Sequence, residues 1–516
     1  MTIHIKIKKN TYFDSVSLMS FSTKANQIDH VKQAMIGMGT DMNKEVIRNV
    51  GMGSPELDTA STADLMIAIE TDQPDAVETI FDEIETLFDR KIEKSEQGET
   101  VYKNIAAAVK DHDQANVAVI SVNGAFAARE AKKAIENNLH VMLFSDNVSI
   151  EEEVALKKAA HEKGLLMMGP DCGTAIINNI GLCFANNVRK GNIGIVAASG
   201  TGAQEMSVRI HDFGYGISQL IGIGGRDLSE EVGGIMMIDA IEALERDQST
   251  KVIVLVSKPP AKSVEQKIIE KVKTIQKPVV VFFLGGEAVA HDEANVYFAK
   301  HSKDAALKAV ELAGAKKEEL DIQPLDTAFI KQVQSKLSDT QHYIRGLFCG
   351  GTLCDEAMFT AMEKLDNVYS NIAKNPEFIL KDNNQNQENT FIDFGSDEFT
   401  QGKPHPMIDP TTRIDRFIKE AADPEVAVIV LDFVLGYGSH EDPAGVMVPA
   451  IKEAKEQAER EGRHLEIIGY VLGTDQDVQN MQEQIQKLQD AGVTITTSSQ
   501  DTGIIAREIV LKGESK

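Results

Sequence analysis

A chain of 516 residues exceeds one ordinary core, and at roughly 150 residues per domain it reads as three or four of them. Its 53 basic against 79 acidic residues give a net charge of −26, which argues against a broad surface for nucleic acid or anionic lipid and for a soluble acidic enzyme or assembly subunit. The four cysteines, Cys172, Cys183, Cys349 and Cys354, show no CxxC spacing, so reduced thiols are expected, with neither a disulfide framework nor a metal site; Cys349 and Cys354 stay functional candidates.

The start, MTIHIKIKKNTYFDSVSLMS, lacks a continuous apolar signal region, and nowhere do about 18 apolar residues run together, so a cytoplasmic protein without membrane spans is expected. Residues 1–110 read as a separate small α/β unit. From Val117 onward short β-branched runs alternate with helical patterns: VAVISV, HVMLFS, GLLMMG, NIGIVA, KVIVLVS and KPVVVFFLG are the clearest strands, and parallel-sheet α/β units follow. KKEELDIQPLDTAFI breaks this rhythm and places a boundary near 320–340. A second α/β set then runs through YIRGLFCGG, VAVIVLDFVLGYG, HLEIIGYVLGT and GVTITTS. The two halves share a plan of strand, glycine turn and helix, the signature of two related nucleotide-binding-like folds.

The turn in GNIGIVAASGTGAQEM joins a strand to a helix through Ser199, Gly200, Thr201 and Gly202. Free backbone N–H groups at a helix N-terminus, with two hydroxyls beside them, suit a phosphate or carboxylate. The same residues also make an ordinary N-cap. No Lys-Ser or Lys-Thr closes the loop, so it is not a Walker A turn. GPDCG (169–173) lies just upstream, and LIGIGGRDLSEEVGG, with Gly224 and Gly225, just downstream. Strand carboxyl ends in an open parallel sheet share one crevice, so these turns are expected to converge on one anion.

In the C-terminal half, CGGTLCDEA offers a second anion site at Gly350, Gly351 and Thr352, or a plain βα turn capped by Thr352. FIDFGSDEFTQGKPHPMID crowds Asp393, Asp397, Glu398, Lys403, His405 and Asp409 into a loop that is either a ligand site or a charged surface; His405 is grouped with the second anion site. LDFVLGYGSHEDPAG places His440 at the end of a central strand, as a general acid or base or as a buried cap.

GPDCG, GNIGIVAASGTGAQEM and HDFGYGISQLIGIGG, in that order, resemble the α subunit of succinyl-CoA synthetase and the NDP-forming acyl-CoA synthetases. DSVSLMS, IRGLFCGGTLCDEA and FIDFGSDEFTQGKPHPMIDP resemble the FdrA family over nearly the whole length. The first resemblance implies a Rossmann-like CoA-binding domain at 111–190, a synthetase-like ligase domain at 191–320 and a flavodoxin-like domain at 340–516. CoA is then a candidate cofactor, with Asn123, Gly124 and Ser145 facing it, and Ser199, Gly200 and Thr201 cradle the phosphate of a phosphohistidine. His291 falls near that histidine's place, but without its flanking glycines and after a shorter loop; SKPPAKS, with Lys258, stands where the synthetases carry an orienting glutamate, and Asp171 replaces an asparagine. No ATP-grasp domain is evident, so an ATP-dependent reaction needs a partner chain; partner subunits and a homo-oligomer are expected. Three functions follow: an acyl-CoA synthetase-type enzyme moving a phosphoryl or acyl group among acyl phosphate, a small carboxylate and CoA; a subunit of an oxamate carbamoyltransferase using carbamoyl phosphate, as the FdrA resemblance implies; or a CoA- or phosphate-binding assembly protein without chemistry.

Overall fold

The computed structural model describes residues 2–13, 15–96, 101–285, 295–316, 318, 320, 324–400 and 403–511. The chain divides into two compact units: Met1–Ala115 with Ser121–Asn137 and Gln401–Pro404, and the remainder.

The first unit holds a three-stranded antiparallel sheet of β1 (Thr2–Lys8), β2 (Val31–Met38) and β3 (Leu65–Thr71), in the order β1-β3-β2. Alternation along β3 sends Leu65, Ile67 and Ile69 to one face and Met66 and Ala68 to the other, and each face has its own core. The first face is closed by the helices Ser15–Ala25 and Val77–Glu96, with Phe13, Phe21 and Phe88 clustered between them.

The second unit holds three sheets. β4 (Val117–Ile120), β5 (His140–Leu143) and β6 (Met167–Met168) run parallel. Seven strands follow: β7 (Thr174–Ile177), β8 (Ile180–Cys183), β9 (Lys190–Ala197), β10 (Ile217–Gly222), β11 (Val252–Ser257), β12 (Val279–Phe283) and β13 (Val296–Phe298). Their order is β13-β12-β11-β9-β10-β7-β8. The β7–β8 hairpin lies inside the sequence stretch 111–190 yet pairs antiparallel with β10, so its backbone groups are satisfied by this sheet. The last sheet, β15-β16-β14-β17-β18-β19, is wholly parallel: β14 (Tyr343–Phe348), β15 (Val368–Ser370), β16 (Asn389–Asp393), β17 (Val426–Val434), β18 (Glu466–Leu472) and β19 (Thr494–Thr496). VIVLVS of β11 and VAVIVLDFV of β17 are buried at every position, because helices cover both faces of a parallel sheet. This is the α/β architecture of parallel sheets that the strand and helix alternation implies.

The two large sheets repeat one plan. β9 leads into the helix Gly200–Asp212 and β14 into the helix Gly351–Met362. The flanking orders β13-β12-β11-β9 and β19-β18-β17-β14 correspond strand for strand. Each half closes with a helix, Ser302–Leu312 or Ser499–Val510. Residues 201–211 are buried on every side, so the first of these helices is a core helix. Val208 from it packs in one cluster with Phe348 and Leu353 of the second half. Among the described residues no helix is long and apolar enough to cross a membrane.

Candidate active site

Ser199 leaves β9 in extended backbone and caps the helix behind it, its Oγ accepting from the Gly202 N–H at 3.1 Å. The amides of Gly200 and Thr201, first in the helix, find no acceptor among the described residues. They open on a narrow crevice of about 10 Å³, room for little more than one water, lined by Asp171, Thr174, Ser199, Gly200, Gly222 and Gly224 among others. Gly224 must be glycine: its φ is +83°, and a Cβ there would come within 2.4 Å of the Pro170 carbonyl oxygen. Three strand ends thus meet as the sheet rule implies. Ser199, Gly200 and Gly224 line the crevice. Gly225 adjoins it beside the Asp171 carboxylate, while Thr201 and Gly202 are turned to other partners.

Asp171 opens to solvent at the crevice and has φ +54°. Its carboxyl is raised above the usual range, first by desolvation and then by Asp146 and Asp397.

The second turn faces the first. The hydroxyls of Ser199 and Thr352 are 2.5 Å apart, and the Thr352 N–H donates to Thr201 Oγ1 at 3.2 Å. Two helix N-termini therefore point their positive ends at one place. Farther in, the halves are tied by a buried polar network. Tyr470 donates its hydroxyl to Glu205 Oε2 at 2.5 Å while accepting from Arg209 at 2.9 Å, and Glu356 accepts from the Ser302 N–H at 2.6 Å and from the Ser499 hydroxyl. Glu205 and Glu356 occupy the same place in the two repeats, five residues into each helix. Gly-Thr-x-x-x-Glu recurs at 200–205 and 351–356, and this recurrence is the sequence signal that could have found the pair.

The expected second anion site at Gly350, Gly351 and Thr352 changes character. Asp432 of β17 accepts the N–H groups of Cys349 and Gly350, both at 2.8 Å, and Arg413 Nη1 holds the same carboxylate at 2.6 Å. The anion of this turn is the protein's own. His405 is half-buried beside Phe184, accepts the Met407 N–H at Nδ1, and is pushed down to about 4 by burial and then by Arg413, so it is neutral near pH 7.

Lys258 Nζ pairs with Asp355 Oδ2 at 2.9 Å, and its ammonium is favoured by Asp355 and Asp393 against the desolvation that opposes it. Sequence reasoning read Lys258 only as a missing glutamate. It missed Asp432, which lies in a strand that looks apolar throughout. Buried Cys349 and Cys354 have thiols pushed well above their ordinary range by desolvation, so they are not nucleophiles. His440 is engaged in a turn: its Nδ1 accepts the Asp442 N–H and its own N–H bonds Met407 O. His291 lies outside the described residues. Asn123 caps the helix Gly124–Glu136 of the first unit, and Ser145 is buried in the second.

Three protein-family models match. A CoA binding domain falls on residues 188–285 and a CoA-ligase on 347–507, one on each repeat. The first match does not bear on 111–190, whose CoA-binding role stays a proposal. Residues 1–104 match "AllF, heavy metal-associated domain". That segment contains no cysteine, so the thiolate pair that would hold a soft metal ion is missing from it, and no step is routed through a metal. A relative of 59% identity over 514 residues, covering 100% of both chains, is the uncharacterized protein YahF of Escherichia coli (strain K12). Succinate–CoA ligase [ADP-forming] subunit alpha 2 of Archaeoglobus fulgidus is 28% identical over 42% of this chain and 77% of its own. Among solved structures, the apo dinucleotide-forming acetyl-coenzyme A synthetase 1 of Ca. Korarchaeum cryptofilum aligns over 80% of this chain and 86% of its own at 15% identity and a TM-score of 0.35. The two matched segments and the ligase relative place the repeats in the acyl-CoA ligase superfamily.

Proposed function

The chain belongs to the family of Escherichia coli YahF, and on that premise we propose that it is an enzyme subunit that binds an acyl or carbamoyl phosphate between the two repeats and transfers the acyl or carbamoyl group to a small acceptor. The observation that carries this reading is the meeting of two helix N-termini at the Ser199–Thr352 contact. Free amides at Gly200 and Thr201, with the hydroxyls of Ser199 and Thr352, stabilise the phosphate as its charge grows on leaving. A CoA thiol or a carboxylate-bearing molecule is the acceptor, and partner chains supply what nucleotide chemistry there is, in the cytoplasm. Purified protein should bind inorganic phosphate, and Ser199→Ala with Thr352→Ala should weaken that binding by about 100-fold or more, two charge-assisted hydrogen bonds' worth. Unchanged binding in the double variant would remove the cradle from the mechanism.

A second reading, carbamoyl transfer between carbamoyl phosphate and oxamate, is favoured by Lys258. Where the synthetases place a glutamate to orient a phosphohistidine, this chain places a cation, which serves an anionic acceptor and not a histidine. Phosphate release from carbamoyl phosphate in the presence of oxamate, against thiol loss from CoA, separates the two.

A further inference from the structure

Outside the phosphate cradle, one group stands unused. Asp393 ends β16 and is buried; its Oδ1 accepts the Gly395 N–H at 2.8 Å. Its Oδ2 has no hydrogen-bond partner among the described residues and points at the backbone of Gly351, where a Cβ would lie only 2.6 Å from it. Lys258 Nζ approaches the same point to 3.1 Å. A carboxylate oxygen and an ammonium thus converge on the one residue of the second helix that has no side chain. The next residue, Thr352, touches Ser199.

We propose that this is the acceptor half of the site: Lys258 anchors the carboxylate of a small acceptor, and Asp393 takes the proton from the acceptor's nucleophilic N–H. The assignment rests on the transfer reading above. In the step, the acceptor nitrogen forms a bond to the carbonyl carbon of the acyl or carbamoyl phosphate. The bond from that carbon to the bridging oxygen breaks, and phosphate leaves with the electron pair toward the Gly200 and Thr201 amides. The N–H proton passes to Asp393 Oδ2. Burial pushes the Asp393 carboxyl up to about 7, with Asp355 and Asp432 adding to the rise and Lys258 and the Gly395 amide opposing it. A base poised there is ionised enough to accept and basic enough to matter near neutral pH. His405 faces the same loop in neutral form and leaves the charge balance to Lys258, Asp355 and Asp432.

The test uses the full chain with its copurifying partners, and oxamate, carbamoyl phosphate and inorganic phosphate as probes. Lys258→Gln should weaken oxamate binding, measured calorimetrically at saturating phosphate, by at least 10-fold and leave phosphate affinity within threefold. Asp393→Asn, which keeps shape and the bond from Gly395, should leave both affinities within threefold, lower kcat at least 100-fold, and abolish the rise of rate with pH through about 7. Oxamate binding indifferent to Lys258→Gln, or an Asp393→Asn enzyme that keeps its turnover and pH profile, overturns the assignment. Loss of phosphate binding only in the Ser199 and Thr352 variants is a separate result, so the cradle and the acceptor site can fail independently.

Discussion

The turn after β9 and the turn after β14 are built on one backbone plan and neutralise it in opposite ways. In both, a parallel strand runs into a helix through glycine, and a Thr sits at the second helical position. The difference lies one strand over. Val256 of β11 pairs with Ala197; continuing the Leu347–Leu431 register, the residue beside Phe348 is Asp432. At the first turn the amide that corresponds to Cys349's, that of Ala198, donates to the Val256 carbonyl at 2.8 Å, and the amides without an acceptor lie further on, at Gly200 and Thr201. An aspartate fills the second from inside, with Arg413 to balance it. The aspartate therefore braces the second turn from the neighbouring strand, while the helix it opens keeps its dipole.

The largest effect should come from breaking the internal anion. Asp432→Ala leaves Arg413 buried without a counter-charge and should cost about 3–5 kcal/mol in urea unfolding. Asp432→Val with Arg413→Met removes both charges and should recover much of that loss. A double variant no more stable than the single one would mean that Asp432 acts through the Cys349 and Gly350 amides and not through the ion pair.

Next is the network that holds the repeats together. Tyr470→Phe takes a donor from Glu205 and an acceptor from Arg209 in a buried place, and should cost about 1–3 kcal/mol. A loss well under 0.5 kcal/mol in the same unfolding measurement would mean that water replaces the hydroxyl.

The smallest effect sharpens the first turn. Asp171 has a raised carboxyl, so it is protonated at low pH and becomes an anion beside the crevice as pH rises. Asp171→Asn should tighten phosphate binding about 3- to 10-fold at pH 8 and not at pH 5.5. Taking the ratio of variant to wild type at each pH cancels phosphate's own ionisation. A ratio that does not change with pH would place the Asp171 charge elsewhere than in the crevice's field.

How much of this was legible in the chain depends on distance along it. The strand–turn–helix at Ser199 and the convergence of Gly224 on it follow from local patterning plus the rule that strand carboxyl ends share a crevice, and both could be read. The parallel sheets could be read for the same reason. Asp432 could not, because one polar residue within VAVIVLDFV carries no sign of which amides it will meet. Nor could the pairing of Thr201 with Thr352, since packing between two sheets decides it. The acidic loop containing Asp393 was noticed as a cluster. What singles out Asp393 within it is a bare glycine on another strand's helix, and that is a property of the assembled fold.

The contact between Ser199 and Thr352 joins residues 153 apart in the sequence, and that between Glu205 and Tyr470 joins residues 265 apart. Each sheet pairs its own strands over shorter stretches, so contacts of this kind between the halves belong to the late part of folding. The cradle's making and its opening are then one event, the docking and parting of two already folded halves. On the proposed function, a phosphate bound across that seam would act as a latch: at 100 times its dissociation constant it would hold the closed state by about 2.7 kcal/mol, slowing the amide hydrogen exchange of residues on both sides together.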